Sequence, residues 1–231
     1  SLLICLFLLP PLNLSVWLNP PHFIRKSQKR WKRFLLFKFR INTYEQPFSG
    51  QRDLLEPLQK WGLSKFLPST PQLFLSIETN EKIKQKLNSE NIHSFFTFAP
   101  SAAYELKRWP IEYFIELISL LKKSHPEHHF ICLGGPEDLF IAKIKQTHGN
   151  CVIDWSGKLS LTESASVIAQ SQGLIANDTG LLHVAEQLGV HAIALMGPAP
   201  FGFPSREKTE IMQIELSCRP CSKHGQGPCV N

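Results

Sequence analysis

No stretch of this chain stays apolar for the ~20 residues that a membrane-spanning helix needs. The run Leu2–Leu9 comes nearest at the start, and it meets Pro10 and Pro11. It has neither a basic start nor a small-residue cleavage site, so it does not read as a secretory signal; a buried segment fits it better. Internal repeats and low-complexity tracts are missing, which argues against a solenoid. The G-x-G-x-x-G fingerprint is missing too. After the first strand of the regular region stands Ala99-Pro100-Ser101-Ala102-Ala103, which argues against a nicotinamide dehydrogenase. Acids are absent between Arg25 and Arg40, where eight Lys or Arg residues fall; the other 17 basic residues face 19 acids, leaving −2. The excess of +6 is therefore one local patch for an anionic partner, not a surface that coats nucleic acid, and no nucleic-acid partner is expected.

What is present suits a globular protein, 43% hydrophobic and 19% charged over 231 residues. Of six cysteines, Cys5, Cys132 and Cys151 sit in apolar contexts and read as core, while Cys218, Cys221 and Cys229 cluster near the end. With no export signal, a reduced, cytoplasmic protein is the expectation. Ser1 lies inside an apolar run and Asn231 just follows the cysteine cluster, so the chain reads as a fragment of a longer protein.

From Ser94 the pattern is regular. Strands are predicted at 94–98, 129–135, 151–157, 173–177 and 191–197. Helices are predicted over 110–123, 137–146, 160–169 and 181–188, the third opened by the capping-box sequence Ser160-Leu-Thr-Glu163. Such alternation means a parallel sheet covered on both faces, with ligands at the C-terminal edge of its strands. Before Ser94 a helix is expected over 51–62, a strand over 72–77 and a charged linking helix over 80–91, with a domain boundary near Asn91.

Four loops at the ligand edge carry polar residues: 99–103 with Lys107-Arg108-Trp109-Pro110, then 134–138, 155–157 and Asp178-Thr179-Gly180. A helix N-terminus offers unpaired N–H groups and a partial positive charge, which suit phosphate. Gly180 permits close approach, Thr179 adds a hydroxyl, and His183, four residues on, returns to the same face. Asp178 could instead simply cap the helix, and His183 could be a solvated residue. Two cations just before a helix start, Lys107 and Arg108, point to an anionic partner, or else to a solvated loop anchored by Trp109. Glu137 and Asp138 are placed to accept from ribose hydroxyls, or serve as ordinary first-turn acids.

Together "APSAAYELKRWP", "LGGPED", "NDTGLLHVAEQLG" and "ALMGPAP" resemble glycosyltransferase family 9, the bacterial lipopolysaccharide heptosyltransferases, most clearly over 94–200. The resemblance implies the two-domain GT-B fold, with residues 92–231 as the Rossmann-like donor domain lacking its final helices and residues 1–91 as a truncated α/β acceptor domain. It implies inverting transfer of heptose from ADP-heptose to a Kdo-bearing lipid A core, with no cofactor required. Ser101 and Lys107 would contact the donor's phosphates or sugar, Glu137 or Asp138 the nucleoside, and Asp178, Thr179, Gly180 and His183 the sugar and diphosphate. The family's base, an aspartate near the native N-terminus, has no counterpart in residues 1–91.

The basic segment, with Arg25, Lys26, Lys29, Arg30, Lys32 and Arg33, suits a phosphorylated acceptor and the anionic face of the inner membrane. The alternative is a solvated helix followed by a core strand at FLLFKF. The tail "CRPCSKHGQGPC" is similar to that of the heptosyltransferase II branch, and Cys218, Cys221, His224 and Cys229 form a possible zinc set of unusually tight spacing. Two rival readings stay open: a GT-B enzyme for another nucleotide sugar, and a non-catalytic module that binds anions or membranes.

Overall fold

The computed structural model describes residues 3–4, 24–25, 29–46, 48–62, 71–226 and 229. The chain divides into two compact units, Ser1–Leu67 and Pro68–Asn231.

In the first unit, two-residue strand segments, Leu3–Ile4 and Ile24–Arg25, pair antiparallel. Helix α1 is Arg30–Phe39, which runs without glycine, proline or a β-branched residue and buries only Leu36. The core strand considered at FLLFKF therefore does not form. Helix α2, Gly50–Leu55, is capped by Ser49, whose hydroxyl accepts from the Arg52 amide. Its continuation, Glu56–Trp61, tightens to a 3-10 helix with Pro57 in its first turn.

The second unit opens with an extended stretch in which the Gln72 and Leu73 amides both donate to the Gln187 carbonyl, at 2.7 and 3.0 Å. The strand expected over 72–77 is replaced by this clamp, and Ile77 already opens helix α3, Ile77–Ser89. Ile83 and Leu87 of α3 join the same core as Phe95, Val167 and Ile168. The helix thus belongs with the sheet, and the compact unit begins at Pro68, not near Asn91.

The sheet contains β1 (Phe95–Ala99), β2 (His129–Cys132), β3 (Val152–Asp154), β4 (Leu174–Asn177), β5 (Ala192–Leu195) and β6 (Thr209–Met212). Its order is β3-β2-β1-β4-β5-β6, and every pairing is parallel. The alternation along β1 feeds two cores: Phe95 and Ala99 face one layer, Phe98 the other. On the first face lie α3, α6 (Leu161–Gln170) and α7 (Gly180–Leu188); on the second lie α4 (Ile111–Ser124) and α5 (Ala142–His148). Both halves of the Ser160/Glu163 capping box are present at α6. The sixth strand was not anticipated. It is an edge strand with Thr209 as its one buried residue, so it offers little hydrophobic signal. The helix expected from Glu137 begins at Leu139 as a 3-10 turn and becomes α5 at Ala142.

This strand order reverses direction between β1 and β4, the switch point where doubly wound sheets bind ligands.

Candidate functional site

At the switch point the fully buried Asn177 closes β4. Its side-chain amide donates to the Pro100 carbonyl at 2.7 Å and accepts from the Trp109 amide at 3.0 Å. One side chain thus fixes both ends of the loop leaving β1, which carries Ser101, half-buried, and Lys107. Arg108 turns away from any anion site: its Nε donates to the Ala102 carbonyl at 2.9 Å and its guanidinium lies over the Phe140 ring.

Lys107 Nζ meets Asp178 Oδ2 at 2.5 Å, with the two side chains 14% and 8% exposed. Asp178 therefore holds a cation and does not cap α7, which has no side-chain cap. Gly197 lets this loop pack closely, because a Cβ would lie 3.0 Å from the Leu106 carbonyl and 3.1 Å from Lys107 Cα. Thr179 is the N-cap residue of α7 in extended conformation, and the space in front of Gly180 is open. The first-turn amides of α7 are left without a side-chain partner beside a buried ion pair, an arrangement that favours an anion.

His183 stands one turn along α7. Its Nδ1 lies 2.9 Å from Glu186 Oε2. Glu186 is 1% exposed, and its other oxygen accepts from the Ser205 and Arg206 amides at 2.7 and 3.2 Å. A carboxylate can only accept, so Nδ1 carries the proton and Nε2 is left for other partners. Glu186 was not singled out in the sequence. An acid three residues after a histidine on an otherwise apolar helix was the available signal.

The second loop separates the two acids predicted for it. Asp138 is 3% exposed, and its Oδ2 accepts from the Gly135 amide at 2.8 Å, so it shapes the loop from within. Glu137 is exposed. Of the pair, Glu137 is the one available to a ligand.

Among the described residues the cysteine-rich set is not gathered as metal ligands; the one such group lies elsewhere, at His125, Glu127 and His128. The tail folds over the switch point instead. Arg219 donates to the Ile214 carbonyl at 2.6 Å and to the Gly197 carbonyl at 2.5 Å, and the Cys221 amide donates to the Pro198 carbonyl at 3.2 Å. His224 stacks on Tyr104, and burial, followed by the charges of Lys223 and Lys107, holds its imidazole below the usual range. A largely apolar pocket of about 470 Å³ lies beneath the tail, lined by Lys107, Trp109, Asn177, Met196, Met212 and Cys218 among others.

In the first unit Lys29 pairs with Asp53 at 2.9 Å and with Glu56, so it is committed internally. Lys32 donates to the Thr43 carbonyl at 3.1 Å. Arg30 and Lys32 are exposed and Arg33 is half-buried; Lys26 and the Arg25 side chain lie outside the described residues. Trp31, Phe34 and Phe39 are exposed on the same helix, with the Phe34 ring against each of the other two.

Residues 25–228 match glycosyltransferase family 9 (heptosyltransferase). The chain belongs to this family. It is 28% identical over 214 residues to lipooligosaccharide heptosyltransferase 2 of Haemophilus ducreyi, covering 83% of this chain and 61% of that protein. The chain thus spans about three fifths of that relative's length. Among solved structures it resembles a glycosyltransferase family 9 protein of Veillonella parvula, with TM-score 0.62 and 23% identity over 68% of this chain and 47% of that one. It also resembles the ADP-heptose lipopolysaccharide heptosyltransferase II of Escherichia coli, with TM-score 0.57 and 23% identity over 65% and 48%. These likenesses show the fold, the Rossmann-like domain of a GT-B protein. No helix among the described residues is long and apolar enough to cross a membrane.

Proposed function

We propose that the second unit is the donor domain of an inverting glycosyltransferase that takes heptose from ADP-heptose and delivers it to the inner core of a lipopolysaccharide, at the cytoplasmic face of the inner membrane. The observation that carries this reading is the uncapped N-terminus of α7 next to the buried Lys107–Asp178 pair and the oriented His183. A departing nucleoside diphosphate gains negative charge as the glycosidic bond breaks. Fixed amide donors and a held ammonium stabilise that charge without reorganising. Lys107 and the first-turn amides of α7 would bind the diphosphate, and His183 Nε2 would reach it or the sugar. Asp178, already aligning Lys107, would accept from a sugar hydroxyl. Glu137 would serve the ribose. Ser101 would sit at the mouth of the β1 loop. These residues handle the leaving group; none of them is assigned the transfer of the acceptor's proton. The relatives' names, heptosyltransferase 2 and ADP-heptose heptosyltransferase II, support heptose and ADP over other sugars and bases.

For the first unit we propose the acceptor side. Exposed Arg30 and Lys32 and the aromatic face of α1 suit phosphate groups on a lipid surface.

Calorimetric titration of the chain with ADP-heptose, with UDP-N-acetylglucosamine as control, tests the reading. Selective binding that weakens at least tenfold in both Lys107→Ala and His183→Ala supports it. Binding of the uridine sugar alone overturns the substrate. Binding of ADP-heptose indifferent to both substitutions overturns the site.

A further inference from the structure

The histidine-rich turn between α4 and β2, Ser124-His-Pro-Glu-His-His129, lies at the N-terminal edge of the sheet, opposite the loops described above. The His128 amide donates to the His125 carbonyl at 3.2 Å, and this turn brings the two imidazoles to one side, 5.0 Å apart. Phe96 packs against both rings from beneath. Glu127 lies between them in sequence and is exposed. One ligand atom from each of His125, Glu127 and His128 lies within 4.8 Å of the others.

His128 decides what the cluster can hold. The residue is 7% exposed. Its Nε2 is 2.9 Å from Gln172 Oε1, and the Gln172 amide is itself oriented because its Nε2 donates to Ser94 Oγ at 2.7 Å. An amide oxygen accepts, so Nε2 carries a proton, and in the neutral ring Nδ1 is the atom with the lone pair. That buried Nδ1 has no hydrogen-bond partner. Glu127 Oε1 is only 2.7 Å away, yet the two approach without the alignment a hydrogen bond needs. The Nδ1 electron pair is thus left for another partner, a proton or a metal ion.

We propose that His125, Glu127 and His128 form a zinc site at this edge of the sheet, with water completing the coordination. Two imidazoles and a carboxylate are ligands that zinc favours. Zinc–ligand bonds of ~2.1 Å set tetrahedral donors roughly 3.4 Å apart, so a small swing of the partly exposed His125 and Glu127 closes the set. Gln172 acts as the outer partner that fixes the His128 tautomer, as metal-bound histidines generally require. Lys122, donating to the Pro126 and His128 carbonyls of the same turn, works against the cation and sets an upper limit on affinity. A bound ion would pin the α4–β2 turn to Gln172, which leads into β4, and so brace the sheet at the end away from the nucleotide loops.

Cobalt(II), a spectroscopic stand-in for zinc, tests this on the whole chain without an affinity tag. The expected result is a one-equivalent rise of ligand-field bands without a thiolate charge-transfer band, reversed by zinc. His125→Ala and Glu127→Gln should abolish it, and Gln172→Ala, which touches no ligand, should weaken it about tenfold. A cobalt spectrum dominated by thiolate, or nitrogen–oxygen bands unchanged by His125→Ala and Glu127→Gln, overturns the proposal. So does the absence of any cobalt spectrum from folded protein.

Discussion

Removing the Lys107 ammonium would strand Asp178, a carboxylate 8% exposed. At 2.5 Å the pair's attraction is about 7 kcal/mol with an effective dielectric near 20, and much of this offsets the cost of drawing both charges out of water. Loss of one partner then costs about 3–5 kcal/mol, because the survivor keeps its desolvation penalty. Lys107→Met should fall in that range. Asp178→Asn should cost less, since the long lysine can swing toward solvent. The double substitution should be milder than the sum of the two by at least about 2 kcal/mol. Hydrogen exchange at the buried amides of β1 and β4 measures these differences within the second unit alone. If the single costs add to the double within about 0.5 kcal/mol, the two groups do not interact and the site has been misread.

The link between α3 and α6 gives a pH signature. Glu163's carboxyl is pulled down to about 2, first by the Lys82 ammonium and then by the Ser160 amide and hydroxyl. Its contribution to stability is complete above its unfolded value of roughly 4.3 and is lost as pH falls from there toward about 2. Glu163→Gln should flatten acid unfolding in that window. Gly157→Ala should destabilise by about 1–3 kcal/mol in urea unfolding, because φ is +67° and a Cβ would lie 2.7 Å from Pro136 Cα. Glu186→Gln should cost a similar ~1–3 kcal/mol, since the charge-assisted bonds from the Ser205 and Arg206 amides become neutral and the His183 ring must move its proton to Nε2 to accept the new N–H. Burial, reinforced by Asp154, pushes the Cys132 thiol far up, so a thiol reagent should label Cys218 in the native state and spare Cys132 until unfolding.

Much of the sheet was legible because its strands are short apolar runs between helices of clear 3.6-residue period. Ser160 and Glu163 marked a helix start by chemistry that acts locally, and local chemistry survives in any context. The edge strand β6 was not legible, because half-exposed edges carry polar residues and resemble loops. The segment 72–77 looked like a strand by composition, but its amides found a tertiary partner, the Gln187 carbonyl, that no window of sequence reveals. The site divides in the same way. Asp178, Thr179, Gly180 and His183 announced themselves by standing together where a strand becomes a helix. The partners Lys107 and Glu186, and the burial of Asp138, depend on distances across the fold. Cys218, Cys221 and His224 are near in sequence, yet Arg219 and the stacking of His224 on Tyr104 give that segment another task.

The side chain of Asn177 has a wider consequence. Its amide is chemically a peptide group, with one carbonyl and one N–H₂, and it sits where β1 and β4 have run out of backbone partners. In bonding to Pro100 and Trp109 it continues the β-ladder by one rung that no backbone supplies. The loop bearing Lys107 is therefore wired to the sheet by the sheet's own bonding and is irregular only in its path. Its Trp109 amide should exchange with solvent on the timescale of a central strand, and the lysine beside it is held in place before any ligand arrives.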